Sequence, residues 1–430
     1  MQQKGDEVMK VVIVGAGFGG LKLARKLNNK PGFEIILVDR FNYHQFQPLF
    51  YQVATGGLEP SSISFPLRKV FQKSKNVRIR LAKLKQIVPA ENKIITDIGE
   101  FSYDILVLAM GAGTNFFGNN AITSHAISMK TTIEALQLRN RLLLNFEKAL
   151  LVSDEKEFQQ LMNIVVVGGG PTGVELSGAL AEMKKYVLPK DYPEIDFSRM
   201  HIYLLEGTTK TLGTMSEKSS AQSKKYLERL GVKVLTGKMV KDYDGETVVL
   251  EKGDDIPSST VIWAAGIKGN IPAGVDKNMI VKGNRILVNR ECRIPAYNNI
   301  YCIGDLAYME TPKYPKGHPQ VAPVAIQQAT MLAENLRSVE RKSSKFYEFE
   351  YNDKGTMATV GRNLAVVDIP KPKLHFGGFI AWMIWMALHL MLILGVKNRF
   401  FVFFNWLYNY ITYDQNLRLI LKTQSEKKSS

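Results

Sequence analysis

Cysteine is scarce in this 430-residue chain, which contains only Cys292 and Cys302. The two thiols are too far apart in sequence for a redox CxxC motif, and a disulfide scaffold would need more of them. The six histidines are scattered and do not show the spacing of metal ligands. We therefore expect neither a disulfide-rich fold nor a metal site.

We do not expect a signal peptide in the first residues of the sequence. The first ten residues, MQQKGDEVMK, are polar and charged, without the apolar core and small-residue cleavage site of a signal peptide. The first apolar run continues directly into a glycine-rich loop, as a β-strand would. We expect the body of the protein to lie in the cytoplasm.

Acidic residues are outnumbered, with 40 against 56 basic ones and a formal net charge of +16. No acid occurs between Pro60 and Ala90, a stretch with many basic residues: Arg68, Lys69, Lys73, Lys75, Arg78, Arg80, Lys83 and Lys85. Such a run is often only a solvated face, and the alternative is an anionic partner, either membrane lipid or nucleic acid. No zinc-finger spacing or RNA-binding signature accompanies it, so we expect no nucleic-acid partner.

The glycine-rich loop KVVIVGAGFGG fits the GxGxxG pattern with Gly15, Gly17 and Gly20. A strand-like run precedes it, a helical pattern follows, and the next strand-like run ends in Asp39. In a dinucleotide-binding unit these glycines make the tight turn, admit the pyrophosphate and let helix and strand pack, while the acid accepts ribose hydroxyls. A purely structural βα turn is the alternative.

A second loop, NIVVVGGGPTGVELSG, repeats the design with Gly168, Gly170 and Gly173. The following strand-like run, HIYLLE, ends in Glu206, an acid that favours a free 2′-hydroxyl and repels a 2′-phosphate. We expect NADH to be preferred over NADPH. Two complete fingerprints predict two dinucleotides, a flavin that stays bound and a nicotinamide that passes through.

Two acids remain ambiguous on the residues alone. Asp305 directly follows a strand-like run and Gly304, where it can bond the polyol chain of a flavin or simply cap a helix. Glu175 follows Gly173 on the expected first turn of a helix, where an acid also favours the helix dipole.

The order of the motifs resembles the flavoprotein disulfide reductase superfamily: a glycine loop, the Ala-x-Gly strand YDILVLAMGAG, a second glycine loop, the strand STVIWAAGIKG, and Gly-Asp. No cysteine follows Asp39 at the position where disulfide reductases carry a reactive one, so thiol chemistry is excluded. The motifs NYHQFQPLFYQVATGGLEP, GGGPTGVELSG, YCIGDLA and VAIQQA narrow the resemblance to type II NADH dehydrogenases, the single-subunit NADH:quinone oxidoreductases.

The resemblance implies FAD and NAD as cofactors, with catalytic roles for Glu175, Gln327 and Gln328. Several members of the family carry a glutamine at the position of Pro323, which leaves Gln327 and Gln328 as the polar groups expected at the flavin and quinone headgroup. The remaining cofactor-binding residues that it implies are Gly15, Gly17, Phe18, Gly20, Asp39, Arg40, Ala109, Gly111 and Asp305 for one dinucleotide, and Gly168, Gly170, Pro171, Thr172, Gly173, Glu206 and Gly266 for the other.

We expect an α/β fold with two Rossmann-like domains, the nicotinamide domain inserted in the flavin domain, and a C-terminal membrane-associated helical segment. The expected boundaries are 8–130 and 272–345 for the flavin domain, 131–271 for the nicotinamide domain and 346–430 for the C-terminal segment. The partners implied are NADH, a membrane quinone (menaquinone or ubiquinone), an anionic membrane surface and a second copy in a homodimer.

The tail contains an apolar run from Gly377 to Val396 without Asp, Glu, Lys or Arg. His389 inside the run, the short second apolar stretch Phe400 to Ile411, and the basic residues beyond it argue against a single crossing. We expect a helical hairpin in the surface of the inner membrane on its cytoplasmic face, with Trp382, Trp385 and Trp406 at the headgroup boundary. Lys397, Arg399, Arg418, Lys422, Lys427 and Lys428 are then expected to meet anionic lipid.

The expected reaction transfers hydride from NADH to FAD and then two electrons to the quinone, without proton pumping. One alternative is a soluble NADH-dependent flavin reductase that delivers electrons to a small redox protein, although such a protein has no use for FIAWMIWMALHLMLILG. A second alternative is a non-enzymatic flavoprotein of the apoptosis-inducing-factor type, supported only by the basic run after Pro60.

Overall fold

The structure, a computed structural model, describes residues 8–414 and 417–421. Its strands are β1 (Met9–Val14), β2 (Phe33–Asp39), β3 (Tyr43–Gln45), β4 (Ser64–Pro66), β5 (Val77–Leu81), β6 (Leu84–Val88), β7 (Lys93–Thr96), β8 (Gly99–Ser102), β9 (Ile105–Leu108), β10 (Ala112–Thr114), β11 (Ile127–Ser128), β12 (Asn163–Val167), β13 (His201–Glu206), β14 (Val232–Thr236), β15 (Val240–Tyr243), β16 (Thr247–Leu250), β17 (Ile256–Pro257), β18 (Thr260–Trp263), β19 (Ile267–Gly269), β20 (Ile280–Val281), β21 (Arg285–Leu287), β22 (Ile300–Cys302), β23 (Ala307–Tyr308), β24 (Thr356–Gly361), β25 (Leu364–Ile369) and β26 (Leu374–Gly377).

The α-helices are α1 (Phe18–Leu27), α2 (Phe50–Ala54), α3 (Leu67–Val70), α4 (Asn120–His125), α5 (Thr132–Ala149), α6 (Glu155–Met162), α7 (Pro171–Tyr186), α8 (Leu188–Asp191), α9 (Glu217–Arg229), α10 (Ala322–Glu340), α11 (Gly378–Leu392) and α12 (Val396–Thr412). The described residues divide into two compact units, one of 8–44, 65–113 and 267–353, the other of 45–64, 114–266, 354–414 and 417–421. Compactness groups the C-terminal segment with the second unit, whereas the domain boundaries from the sequence remain a prediction.

The first unit contains a parallel sheet in the order β22-β9-β1-β2-β5. Val11, Val12 and Ile13 of β1 are fully buried, which explains why this strand is an unbroken apolar run and not an alternating one. Cys302, at the end of β22, is buried in the same core, and burial raises the pKa of its thiol well above the usual value. Cys302 is therefore a buried core residue whose surroundings disfavour the thiolate.

The second unit repeats this arrangement with a parallel sheet in the order β11-β18-β12-β13-β14. In both sheets the strand before a glycine loop is central, the strand that ends in an acid lies on one side, and the later Ala-x-Gly strand lies on the other. The carboxyl ends of parallel strands share one edge of a sheet, so each acid and each Ala-x-Gly turn lies at the same edge as its glycine loop.

The C-terminal segment forms the antiparallel sheet β24-β25-β26 followed by α11 and α12. Ala381 of α11 packs on Ala365 and Val367 of β25 in a small hydrophobic cluster. On the other side of this sheet, β24 lies against α7 at Gly178, where a Cβ would be 1.6 Å from the Val360 carbonyl oxygen. A glycine at this point lets a helix and a strand of distant sequence approach closely enough to share one wall.

Many large apolar side chains of α11 and α12 are exposed, as the sequence prediction of a helical hairpin implies. This apolar face consists of Phe379, Ile380, Met383, Met391, Val396, Phe400, Phe401, Phe404, Leu407 and Ile411. Among residues 8–414 and 417–421, no helix has both the length and the apolar character needed to cross a membrane. Lys422, Lys427 and Lys428, predicted to meet lipid, lie outside the described residues.

Candidate active site

The first glycine loop has the shape that the GxGxxG pattern predicts. Gly15 has φ +103°, and a Cβ there would be 2.4 Å from the Ala109 carbonyl oxygen, while a Cβ on Gly20 would be 1.8 Å from the Gly15 oxygen. Both glycines are therefore required by the fold. A Cβ on Gly17 would meet nothing within 4 Å, so the protein leaves space where the pattern expects a pyrophosphate to approach the backbone.

Asp39 supports this loop directly. Its Oδ2 accepts a hydrogen bond from the Ala16 amide at 2.6 Å, and its Oδ1 accepts one from the Phe41 amide at 2.7 Å. Burial raises the pKa of Asp39, and the two hydrogen bonds offset only part of this increase. An ionised carboxylate has further acceptor sites, so Asp39 can still accept the predicted hydrogen bonds from ribose hydroxyls. The neighbouring Arg40 is exposed and lies over the Phe41 ring.

His44 is a contributor to the loop that the sequence analysis missed. It is buried, its Nδ1 lies 2.8 Å from the Ala16 carbonyl oxygen, and its ring meets the edge of Phe18 at 5.3 Å between centroids. Burial lowers the pKa of His44, which favours the neutral ring. A single histidine in a run of aromatic residues was the available signal, but its contact with a loop 28 residues away is tertiary.

Other predicted flavin residues of the first unit sit in backbone-supporting roles. Gln328 is buried and its Oε1 accepts from the Gly304 amide at 2.7 Å. The side-chain amide of Gln327 donates to the Asn352 carbonyl at 2.9 Å and accepts from its amide at 3.1 Å. Asp305 lies within the short 3-10 helix Gly304–Leu306, whose N-cap is Ile303, so the helix-cap interpretation of Asp305 is wrong.

The Ala-x-Gly turn of this unit ends beside the first loop. Ala109 is buried, and its amide donates to the Val14 carbonyl at 2.8 Å, which continues the sheet to the loop. Gly111 has φ +62°, a conformation that side-chain-bearing residues rarely adopt.

The second glycine loop has the same glycine conformations and close contacts as the first. Gly168 has φ +109°, a Cβ there would be 2.7 Å from the Ala264 carbonyl carbon, and a Cβ on Gly173 would be 1.9 Å from the Gly168 oxygen. A Cβ on Gly170 would meet nothing within 4 Å. Pro171 and Thr172 are exposed in the first turn of α7, where a proline costs no hydrogen bond.

Glu206 plays the part in this loop that Asp39 plays in the first. Its Oε2 accepts from the Gly169 amide at 2.6 Å and its Oε1 from the Thr208 amide at 2.7 Å. Gly266, at the Ala-x-Gly turn, has φ +78°, and a Cβ there would be 2.9 Å from the Phe117 ring. The loop, the acid and the turn therefore lie together in the second unit, as predicted.

Glu175 lies in the second turn of α7, because the helix begins at Pro171 and has no acid in its first turn. The helix-dipole interpretation is therefore wrong for this residue. The side chain is buried, and its Oε1 accepts long hydrogen bonds from the Thr359 amide at 3.3 Å and the Trp385 indole at 3.2 Å. Burial raises the pKa of Glu175 from 4.5 to about 8, and the two hydrogen bonds only partly oppose it. The carboxyl is mostly protonated at neutral pH.

Glu175 lines a cavity of about 140 Å³. Four segments distant in sequence form its wall, namely α2 with the turn after it, α7, β24, and the helices α11 and α12. The lining residues are Tyr51, Gln52, Thr55, Gly57, Glu175, Ala179, Glu182, Tyr186, Val187, Thr359, Val360, Gly361, Arg362, Trp382, Trp385, Met386, Trp406, Asn409, Tyr410 and Tyr413. A cavity of this size holds about one six-membered ring.

Two of the tryptophans predicted to lie at the lipid headgroups are inside this structure, which corrects that prediction. Trp385 is 2% exposed and Trp406 is 8% exposed. The Trp406 indole donates to Gln52 Oε1 at 2.7 Å, and Trp385 stacks on His389 with centroids 4.0 Å apart. Burial lowers the pKa of His389 to about 4, so this histidine is neutral and needs no charged partner.

The sequence analysis also missed Glu182, Arg362 and Gln52 as cavity residues. The signal for Glu182 was its spacing of seven residues from Glu175, which places both carboxyls on one face of a helix. No such signal exists for Arg362 or Gln52, because their elements meet α7 only through tertiary packing. No cluster of candidate metal ligands occurs in the part of the chain that the structure describes.

Comparison with known proteins agrees with this geometry. Residues 9–329 match the family model of pyridine nucleotide-disulphide oxidoreductases, and residues 354–412 match the NDH2 C-terminal domain. The chain is 34% identical over 417 residues to the type II NADH:quinone oxidoreductase Ndh of Mycobacterium tuberculosis, covering 94% of this chain and 88% of that protein. It is 33% identical over 413 residues to NdhA of the same organism, covering 92% and 86%. NDH2 of Plasmodium falciparum, solved in complex with NADH, has the same fold at 21% identity, with a TM-score of 0.86 over 96% of this chain and 100% of that one.

The chain thus belongs to the pyridine nucleotide-disulphide oxidoreductases, a class that its paired parallel sheets and glycine loops define. Within that class it is a member of the type II NADH:quinone oxidoreductase family. The family and fold class predicted from the sequence are confirmed. The same relatives favour the quinone reductase over the soluble flavin reductase.

Proposed function

We propose that the chain is a respiratory enzyme that reduces a membrane quinone with NADH, through bound FAD, without pumping protons. The supporting observation is the buried carboxyl of Glu175, which lines a cavity of ring size and lies on the helix that follows the second glycine loop. The reaction NADH + H⁺ + quinone → NAD⁺ + quinol takes up one proton per turnover. Glu175 is placed to hold that proton.

FAD, when bound, accepts hydride from NADH and passes two electrons to the quinone. The first glycine loop would hold its pyrophosphate, with Asp39 at the ribose and Asp305 at the polyol chain. The fit is supported by the open space at Gly17 and by the free acceptor capacity of Asp39. Gln328 would act by fixing the Gly304 amide beside Asp305.

The second loop would hold NADH, with its pyrophosphate at the N-terminus of α7. Gly170 leaves the approach open, and the carboxylate of Glu206 opposes a 2′-phosphate. The quinone ring would occupy the cavity, where Glu175 gives a proton to a quinone oxygen. Trp385 and the Thr359 amide hold the Glu175 carboxyl in position for this step.

Anaerobic absorbance spectroscopy tests the proposal. The purified protein should be yellow, NADH should bleach the flavin, and a short-chain quinone should restore the colour. Bleaching without recovery by any quinone would reject quinone as the acceptor and revive the soluble reductase. A colourless protein that cannot be reconstituted with FAD would reject the flavin.

We also propose that the apolar face of α11 and α12 lies in the surface of an anionic membrane, on the cytoplasmic side of the inner membrane. Phe400, Phe401 and Phe404 are 59%, 58% and 59% exposed, and Lys397 and Arg399 lie beside them. Burial of such aromatic residues in the interface, with basic residues at the headgroups, is the usual arrangement of an interfacial helix. It also lets an apolar quinone reach the cavity from the lipid.

Vesicle flotation tests this membrane proposal. The double variant Phe400→Glu and Phe404→Glu should lose binding to vesicles of anionic phospholipid while keeping its flavin and its thermal midpoint. Phe117→Glu, an equally exposed aromatic outside the tail, is the matched control and should float like the unchanged protein. Equal flotation of both variants would contradict the proposal. A homodimer, expected from the family resemblance, is checked by light scattering in detergent.

A further inference from the structure

A second buried carboxyl shares the cavity with Glu175. Glu182 lies seven residues further along α7, and both side chains line the same space. Seven residues of helix advance about 10 Å along the axis, two turns on the same face. The two carboxyls are therefore too far apart for a direct hydrogen bond, and only molecules within the cavity can link them.

Glu182 is held at its end of the cavity by the turn that follows β24. Its Oε1 accepts a hydrogen bond of 2.5 Å from the Arg362 amide. Burial raises the pKa of Glu182, and the hydrogen bond from the Arg362 amide and the charge of Arg362 offset only part of this increase. The net effect of these surroundings favours the protonated carboxyl, so Glu182 is suited to hold a proton that it can pass on.

The surroundings of the Arg362 guanidinium indicate a site for water at this end of the cavity. It lies between the rings of Tyr410 and Tyr413, 3.8 and 3.9 Å from their centroids. Its Nε and Nη1 are buried and have no hydrogen-bond acceptor within residues 8–414 and 417–421. Buried donors of a charged group are costly when unpaired, so an acceptor from outside the protein, such as water, is expected there.

The volume of the cavity sets an order of events. About 140 Å³ is the space of one six-membered ring, so a quinone ring beside Glu175 displaces water from the cavity. A short chain of hydrogen-bonded waters can span the separation of about 10 Å along the helix axis between the two positions. Glu175 must therefore carry its proton before the quinone enters, and it can regain a proton through water only after the quinol has left.

We propose that Glu182 is a proton-relay residue, which resupplies Glu175 between turnovers through water that fills the emptied cavity. The inference rests on the proposed quinone reaction. In each turnover the O–H bond of Glu175 breaks and one quinone O–H bond forms, while the hydrogen that leaves NADH as hydride supplies the two electrons and the proton of the other O–H bond. A proton then moves from Glu182 through water to Glu175, and solvent restores the proton of Glu182. One proton is consumed per NADH, as the overall reaction requires.

The other titratable groups of the cavity wall are less suited to this role. The groups that line the same space are Arg362 from the turn after β24, Tyr51 from α2, Tyr186 from α7, and Tyr410 and Tyr413 from α12 and its end. Phenols and guanidinium groups ordinarily titrate well above neutral pH, and burial moves the pKa of Tyr51 higher still. Among the described residues of the wall, only Glu175 and Glu182 have a carboxyl group.

Rapid mixing of the NADH-reduced enzyme with a short-chain quinone and excess NADH tests the relay. Glu182→Gln keeps the shape and the acceptor for the Arg362 amide, so flavin reduction by NADH should be unchanged. The first quinol per site should form at the wild-type rate, because Glu175 already holds a proton. Later turnovers should be slower by about a hundredfold, which is the low end of what a proton-transfer group contributes. The quinone KM should not change.

Two variants complete the experiment. Glu182→Asp retains a carboxyl and should restore most of the steady-state rate. Glu182→Ala, which has no carboxyl, replaces Glu182→Gln in the assay if the latter does not fold. Glu228→Gln, an exposed glutamate in the same unit, is the control and should behave as wild type. The relay is overturned if Glu182→Gln turns over at the wild-type rate, or if its first turnover is as slow as the later ones. Failure of the wild-type enzyme to reduce quinone at all would instead reject the proposed function.

Discussion

Replacement of Glu175 by glutamine should make the protein more stable and less active at the same time. Burial raises the pKa of the wild-type carboxyl from its ordinary value of 4.5 to about 8. Between about pH 4.5 and about pH 8 the folded state holds a proton that the unfolded state releases, so the stability of the wild type falls as pH rises. Its contribution is fully present below about pH 4.5 and lost progressively up to about pH 8.

The size of the effect follows from the gap between the two pKa values. Each pH unit above 4.5 costs the wild type about 1.4 kcal/mol, so that about 3 kcal/mol is lost at pH 7 relative to the acid limit. Glutamine does not ionise, and its side-chain oxygen can still accept from the Thr359 amide and the Trp385 indole. We expect the variant and wild type to have similar stability near pH 5 and to diverge steadily toward pH 8.

Denaturant titrations of both proteins from pH 5 to pH 8 measure this divergence. Turnover with quinone should fall by about a hundredfold, the low end for loss of a general acid, while flavin content and bleaching by NADH persist. Parallel stability curves would show that the Glu175 carboxyl is not buried as described. Unchanged turnover would show that Glu175 is not the proton donor.

Four further changes have definite expected outcomes. Glu206→Ser should reduce the preference for NADH over NADPH, measured as the ratio of the two kcat/KM values, because it removes the acid that opposes a 2′-phosphate; an unchanged ratio would place Glu206 away from the ribose. Gly173→Ala would bring a Cβ to 1.9 Å from the Gly168 oxygen and should raise the KM for NADH by about tenfold, or about 1.4 kcal/mol of binding, with flavin retained; an unchanged KM would contradict this. Trp385→Phe removes a hydrogen bond that lowers the pKa of Glu175, so the alkaline limit of quinone reduction should move to higher pH, and a shift to lower pH would refute the reasoning. Truncation before Leu374 removes the apolar face and part of the cavity wall, so it should release the protein from membranes and abolish activity with every quinone; retained activity with a short-chain quinone would contradict the role of α11 and α12 in the cavity.

The two dinucleotide loops could be predicted from the sequence because their requirements are local. A tight turn with positive φ and a helix that packs on its own preceding strand both need glycine at fixed spacing, and this spacing is visible in the chain. Gly15 and Gly168 have that conformation, and Gly20 and Gly173 have that close packing. Asp39 and Glu206, which end the strand after each loop and its helix, were equally predictable. The parallel strands of one unit end at the same edge of the sheet, so each acid lies beside its loop.

The cavity depends on packing between segments that are far apart in the chain. The Glu175 carboxyl is neutral because Trp385, 210 residues later, and Thr359, 184 residues later, cover it. The pattern of apolar residues identified α11 and α12 as amphipathic elements, but it could not tell which tryptophans face lipid and which face the protein. Burial of a side chain is decided by its neighbours in space, so the protonation of Glu175 and the inward position of Trp385 and Trp406 became known only from the tertiary structure.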